Sequence, residues 1–293
     1  MLDQCEVVVI ELSDLAEAFQ FFDSQNSRGK ALDPTDLLKA FHLREMADNG
    51  QVEKLNCTEI WDNIGETGLN SLIGTYLYRI RLWTRGKYAG HFTKDNINEF
   101  KGFNLLDAPG YPYLVPYRLN EKALKDANNY PFQITQLIIN GKRFFEMVGH
   151  YHRLFNILFD GTISEEFREF HQHSIYPEDQ RAGDKYTKTL YKAAILCYYD
   201  RFDSAGFKAH YPLLFMWAYK PRIENKSVRY QSSNATVHKP NNNIFRLIQE
   251  SLDPTELSVL KTGLQLDRVA QDIKNVRAVF KDQHLDFTNK NAG

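Results

Sequence analysis

The hydrophobic positions follow two different periods along the chain. Val7-Val8-Val9-Ile10 is an unbroken β-branched run between Glu6 and Glu11, the pattern of a short buried strand. A lone strand leaves backbone donors and acceptors unpaired, so this one needs a neighbour later in the chain or outside it. Beyond Ser13, a good N-cap, Leu15, Ala18, Phe19 and Phe22 fall at helical spacing. That helix should stop near Asn26-Ser27-Arg28-Gly29, with Gly29 taking the left-handed conformation. A second helix is predicted from Asp33-Pro34-Thr35-Asp36, where Asp33 caps, Pro34 fits the first turn and Leu37, Leu38 and Phe41 resume the apolar face.

From about residue 55 to 290 the period stays helical. Leu69 to Trp83 reads as one helix with a basic far end. Ile134 to Phe159 carries Gly141 and Gly149 inside its apolar spacing and is expected to break or kink there. Tyr186 to Phe202 sets Leu190, Ala194 and Cys197 along one side, and Asp253-Pro254-Thr255-Glu256 repeats the cap signature ahead of Leu257 and Leu260. The loop Ala108-Pro109-Gly110-Tyr111-Pro112-Tyr113 should separate helices. The expected fold is mainly α: a multi-helix domain with a residual strand plus helix pair at the N-terminus.

Composition narrows the class. Over 293 residues, 36 Lys plus Arg oppose 37 Asp plus Glu, the charged fraction is 25% and the hydrophobic fraction 43%. These are ordinary values for a soluble globular chain. No window reaches the run of about 18 apolar residues that a membrane span needs, and the acidic opening MLDQCEVVVIEL has no basic segment of a secretory signal. Cys5, Cys57 and Cys197 are odd in number and far apart, as in reduced cytoplasmic thiols. A cytoplasmic protein with no membrane contact is the expectation.

Most catalytic motifs are missing. Gly29-Lys30 and Gly141-Lys142 lack both the upstream glycine and the following hydroxyl residue of a phosphate-binding P-loop. His150/His152 and His171/His173 are two residues apart, which on a helix points them to nearly opposite sides, so no metal site is assigned. No nucleophile elbow occurs.

Charge, by contrast, is segregated. Residues 1–25 hold six acids and no base. Residues 79–94 hold Arg79, Arg81, Arg85, Lys87 and Lys94 without an acid, interleaved with Trp83, Tyr88 and Phe92. Residues 208–246 hold Lys208, Lys220, Arg222, Lys226, Arg229, Lys239 and Arg246 against Glu224 alone, with Tyr211, Phe215, Trp217, Tyr219 and Tyr230 between them. Such mixtures neutralise phosphates and stack on bases. They equally describe core aromatics on helices whose bases pair with acids from elsewhere. The nucleic-acid candidates are Arg79, Arg81, Arg85, Lys220, Arg222 and Arg229.

The segment Ala18–Lys39, AFQFFDSQNSRGKALDPTDLLK, resembles a signature of the bacterial DGQQR-domain family, to which the GmrS-type half of GmrSD modification-dependent restriction systems belongs. Members read approximately AF-x-x-F-x-x-x-N-x-R-G-x-x-L-x-x-x-D-L-L-K, usually just after a strand like Val7–Ile10. Phe100-Lys101-Gly102 and Ile138 to Phe145 also look like family segments, and the basic stretch ending in Asn243-Ile244-Phe245 fits the helical region those proteins carry. The D-G-Q-Q-R motif of the family's ParB/sulfiredoxin-like α/β half is absent from these residues, as is the H-I-x-P motif of its HNH nuclease domain.

The resemblance therefore implies residues 1–50 as the C-terminal remnant of that α/β domain and 51–293 as a helical domain. It implies a fragment or shortened member of an anti-phage restriction factor, DNA-facing or partner-facing and inactive alone. The NTP and divalent metal of the family would belong to parts missing here, so no cofactor is assigned to this chain. Asn26, Arg28, Gly29 and Lys30 become phosphate- or nucleotide-binding candidates. Equally, Asn26 and Gly29 could end a helix while Arg28 pairs with Asp33 or Asp36. Two alternatives stand beside this: a helical module docking a separate subunit that carries the D-G-Q-Q-R or HNH part, or an NTP hydrolase completed in trans.

Overall fold

Asp33 caps the first described helix in the computed structural model, which describes residues 33–47, 49–104, 132–160, 163–174, 183–239 and 242–287. Helix α1 (Pro34–Arg44) starts as its sequence dictates. The Asp33 carboxylate accepts from Thr35 N at 3.0 Å and Thr35 Oγ1 at 2.8 Å, satisfying donors that a helix start leaves orphaned. The strand at Val7–Ile10, the helix after Ser13, the candidates Asn26 to Lys30 and the loop Ala108–Tyr113 lie outside the described residues.

Helix α2 (Gln51–Leu69) bends at Gly65, whose φ of 72° suits glycine. It continues without a loop into a π-helical segment, Asn70–Leu77, and then α3 (Tyr78–Thr84). A single regular helix was the expectation for Leu69–Trp83, and the wider π turns are the correction. They set Gly74 against the loop that follows α3, where a Cβ would lie 3.1 Å from Phe92 Cβ.

After a capped 3-10 turn (Lys94–Phe100), Phe103 and Ile139 form an isolated parallel bridge. Helix α4 (Lys142–Phe159) begins just past Gly141, at φ 74°, so one of the two expected breaks is real. Gly149 breaks nothing. It lies inside α4 under Ile60, whose Cγ2 would be 2.9 Å from an added Cβ. Helices α5 (Glu165–Ser174), α6 (Asp184–Phe202) and α7 (Phe207–Glu224) follow. The chain continues through α8 (Tyr230–Val237), α9 (Ile244–Glu250), a 3-10 turn (Pro254–Leu260), α10 (Lys261–Leu264) and α11 (Lys274–Asp282).

The fold is mainly α. Among the described residues there is no strand, and no helix is long and apolar enough to cross a membrane. The centre is the α6–α7 pair. Ala193 to Tyr198 and Leu213 to Tyr219 are buried without a break, so both helices are enclosed all round rather than on one stripe. Each such Leu, Ile or Phe contributes roughly 1.5–3 kcal/mol by leaving water. Helix α1 joins the same core through Leu38, and its buried His42 bridges Phe100 O (3.0 Å) and Gly141 N (3.2 Å). Burial pulls the His42 imidazole down to about 3, so it works here as a neutral brace.

Candidate functional site

The six nucleic-acid candidates divide sharply. Arg79 and Arg222 are each only 2% exposed and offer nothing to a phosphate backbone passing over the surface. Arg222 pairs with the buried Asp184 at 2.6 Å. Arg81 donates inward to the carbonyls of Ile134 (2.5 Å) and Gln136 (2.9 Å). Arg85 is exposed but paired with Glu99, and Lys220 holds Glu224 (2.9 Å) and Asp267 (3.2 Å). Arg229 alone of the six is exposed without an ion pair among the described residues. Tyr211, Phe215, Trp217 and Tyr219 are buried, which is why they space helically: they are core.

The surviving parts of the two basic stretches come together. The loop after α3 is fastened to α8 by Asn234, a fully buried side chain. Its Oδ1 accepts from Trp83 Nε1 (2.8 Å) and Ala89 N (2.9 Å), and its Nδ2 donates to Ala89 O (2.7 Å). Asn243 Nδ2 donates to Trp83 O at 2.8 Å, and His238 meets Gly86 O at 3.2 Å. On top of this frame, His91 stacks on Tyr230 with ring centres 4.0 Å apart, and Tyr88 lies 6.1 Å from His238. Lys87, Lys94, Lys226, Arg229 and Lys239, from the same two stretches, are exposed and make no ion pair among the described residues. Tyr88 is 58% exposed.

Beneath this face is a cavity of about 260 Å³ lined by Asp33, Pro34, Asn70, Gly74, Thr75, Arg79, His91, Phe92 and Tyr230. Its walls come from the start of α1, the π-helical segment, α3, the fastened loop and the start of α8. Arg79 is held there by its flat faces: its guanidinium carbon is 4.4 Å from the Trp83 ring and 4.8 Å from the Tyr230 ring. Stacking leaves the in-plane N–H groups unspent, and Nε and Nη2 are enclosed without an acceptor. Burial pulls the guanidinium down from its usual value, with Tyr230, Tyr76 and Tyr88 opposing. Asp33, the carboxylate on the wall, is occupied by Thr35 and by Asn70 Nδ2 at 2.9 Å.

Sequence reasoning missed Asn70, Thr75, His91 and Asn234 as site residues, and met Tyr230 only as one of the aromatics between the bases. Arg79 it chose for the wrong geometry, an exposed contact instead of a buried charge. No local motif marks these positions, because the site is assembled from segments far apart in the chain. The histidine pairs bring no metal seat: His150 lies beside Phe132 and His152 beside Asn156, and among the described residues no group of three His, Cys, Asp or Glu could hold an ion. Cys57 and Cys197 are free and buried.

No curated protein and no solved structure matches the chain. Residues 53–276 match the model of a family described as a family of unknown function (DUF7834). That match takes in every described helix from α3 to α10 and most of the 293 residues, and the chain belongs to this family.

Proposed function

We propose that the chain supplies a DNA-facing helical surface to an anti-phage restriction factor of the GmrSD type, with no turnover of its own. The observation that carries this is the meeting of the two basic, aromatic stretches through Asn234 and the His91–Tyr230 stack. Lys87, Lys94, Arg229 and Lys239 supply unpaired positive charge, and Tyr88 offers an exposed ring on which a base can stack. The restriction context rests on the Ala18–Lys39 resemblance. In that context the D-G-Q-Q-R or HNH chemistry comes from a separate part.

Fluorescence anisotropy tests the surface directly, using the full chain and duplexes bearing cytosine, 5-hydroxymethylcytosine or its glucosylated form. Binding should weaken steeply with salt, and Lys87→Glu and Arg229→Glu should each lower affinity and reduce the salt slope by about one. No binding at low salt, or a double variant that binds as the wild type does, would remove this function. A preference among the three duplexes would identify the modification that is sensed.

A further inference from the structure

We propose that the Arg79 cavity is a binding site for a phosphate monoester, presented either by a free nucleotide or by the 5′-phosphate end of a nucleic-acid strand. The site does not depend on the exposed basic face lying over it, and each can fail without the other.

The starting point is a charge left unanswered among the described residues. A guanidinium stays protonated in proteins, so a buried one cannot escape its desolvation by losing a proton. Arg222, equally buried, is answered by Asp184 at 2.6 Å. Arg79 has no carboxylate within ion-pair distance among the described residues and makes no hydrogen bond there. Two aromatic faces hold it in place, and their geometry directs its donors edgewise. Nε and Nη2 are buried without a partner, and Arg79 lines the cavity.

The other walls supply more donors. Thr75 lines the cavity with a hydroxyl that takes no hydrogen bond among the described residues, and His91 and Tyr230 line it as a stacked pair of rings. Donors from three elements around one cation suit a tetrahedral oxyanion better than a planar carboxylate, which Arg79 alone could satisfy. The π-helical turns contribute here too, because they carry Asn70, Gly74 and Thr75 together on this wall. A volume of about 260 Å³ admits a phosphate with its attached sugar. Asp33 keeps its negative charge on this wall, its two oxygens accepting from Thr35 and Asn70.

The test is titration calorimetry of the full chain with inorganic phosphate, with acetate as the planar comparator. Saturable phosphate binding is expected, weakened about tenfold in Thr75→Val and on the order of a hundredfold in Arg79→Met. Thr75→Val keeps shape and carries the result should Arg79→Met fail to fold. Competition then separates the sources. A nucleoside 5′-monophosphate, a 5′-phosphorylated strand and its 5′-hydroxyl twin are each set against phosphate. Displacement by the nucleotide alone assigns a free ligand, and displacement by the phosphorylated strand but not its twin assigns a strand end. No phosphate binding, equal binding of acetate, wild-type affinity in Thr75→Val, or no competitor displacing phosphate would overturn the proposal.

Discussion

Asn234 and Asp200 show how much single buried polar groups decide in this molecule. Asn234 satisfies Trp83 Nε1 and both backbone groups of Ala89 at once. Asn234→Ala strands all three in a dry site, and a loss of about 3 kcal/mol is expected in urea unfolding, with weaker DNA binding as the loop carrying Lys87 and His91 comes free. Asp200 makes a different demand. Burial pushes its carboxyl up from 3.8 to about 7, against hydrogen bonds from Tyr151 (2.6 Å) and Ile134 N (3.0 Å). Between about pH 4 and 7 the folded state keeps a proton that the unfolded chain has released. Stability therefore falls as pH rises through that window and levels off above it. The melting temperature should drop from pH 5 to pH 8, and Asp200→Asn should flatten the curve. Parallel curves for the two proteins would contradict this origin.

Elements were legible in proportion to how local their causes are. Asp33-Pro34 and Asp253-Pro254 announce helix starts because a cap and a proline act within one turn. The break at Gly141 was visible for the same reason. The innocence of Gly149 was not, since only Ile60, distant in sequence, explains it. The π-helical turns gave no sign, because they arise from what α2 and α3 pack against and not from residue type. The site suffered most: basic and aromatic letters left a surface and a core reading equally open, and most of those side chains are core or ion-paired. Gly141 offers a clean check. At φ 74°, with Met46 Cγ 3.0 Å from an added Cβ, Gly141→Ala should cost about 1–3 kcal/mol, seen as a lower urea midpoint with an unchanged slope. An unchanged midpoint would mean that the turn relaxes freely.

At the scale of the whole molecule, a domain boundary near residue 50 makes a claim about cooperativity. Two separately cored domains can unfold at different denaturant concentrations, whereas one shared core cannot. The buried apolar cluster runs without interruption from Leu38 in α1 to Phe280 in α11. Trp61 reports on its α1–α4 side, where it packs against Phe144 and Phe145. Trp217 reports on the α7–α9 side, against Phe245. Two single-tryptophan variants, one keeping Trp61 and one keeping Trp217, place one reporter in each region. The two fluorescence transitions should then coincide with each other and with loss of helical circular dichroism, and Leu38→Ala should shift all three together. Its expected cost is about 2–5 kcal/mol, the usual range for emptying a buried leucine site. Separate midpoints, or a Leu38→Ala shift seen by Trp61 alone, would divide the molecule where the family resemblance first suggested. A single transition would mean that α1 and the Asp33 wall of the cavity are fixed by the same core that holds Arg79.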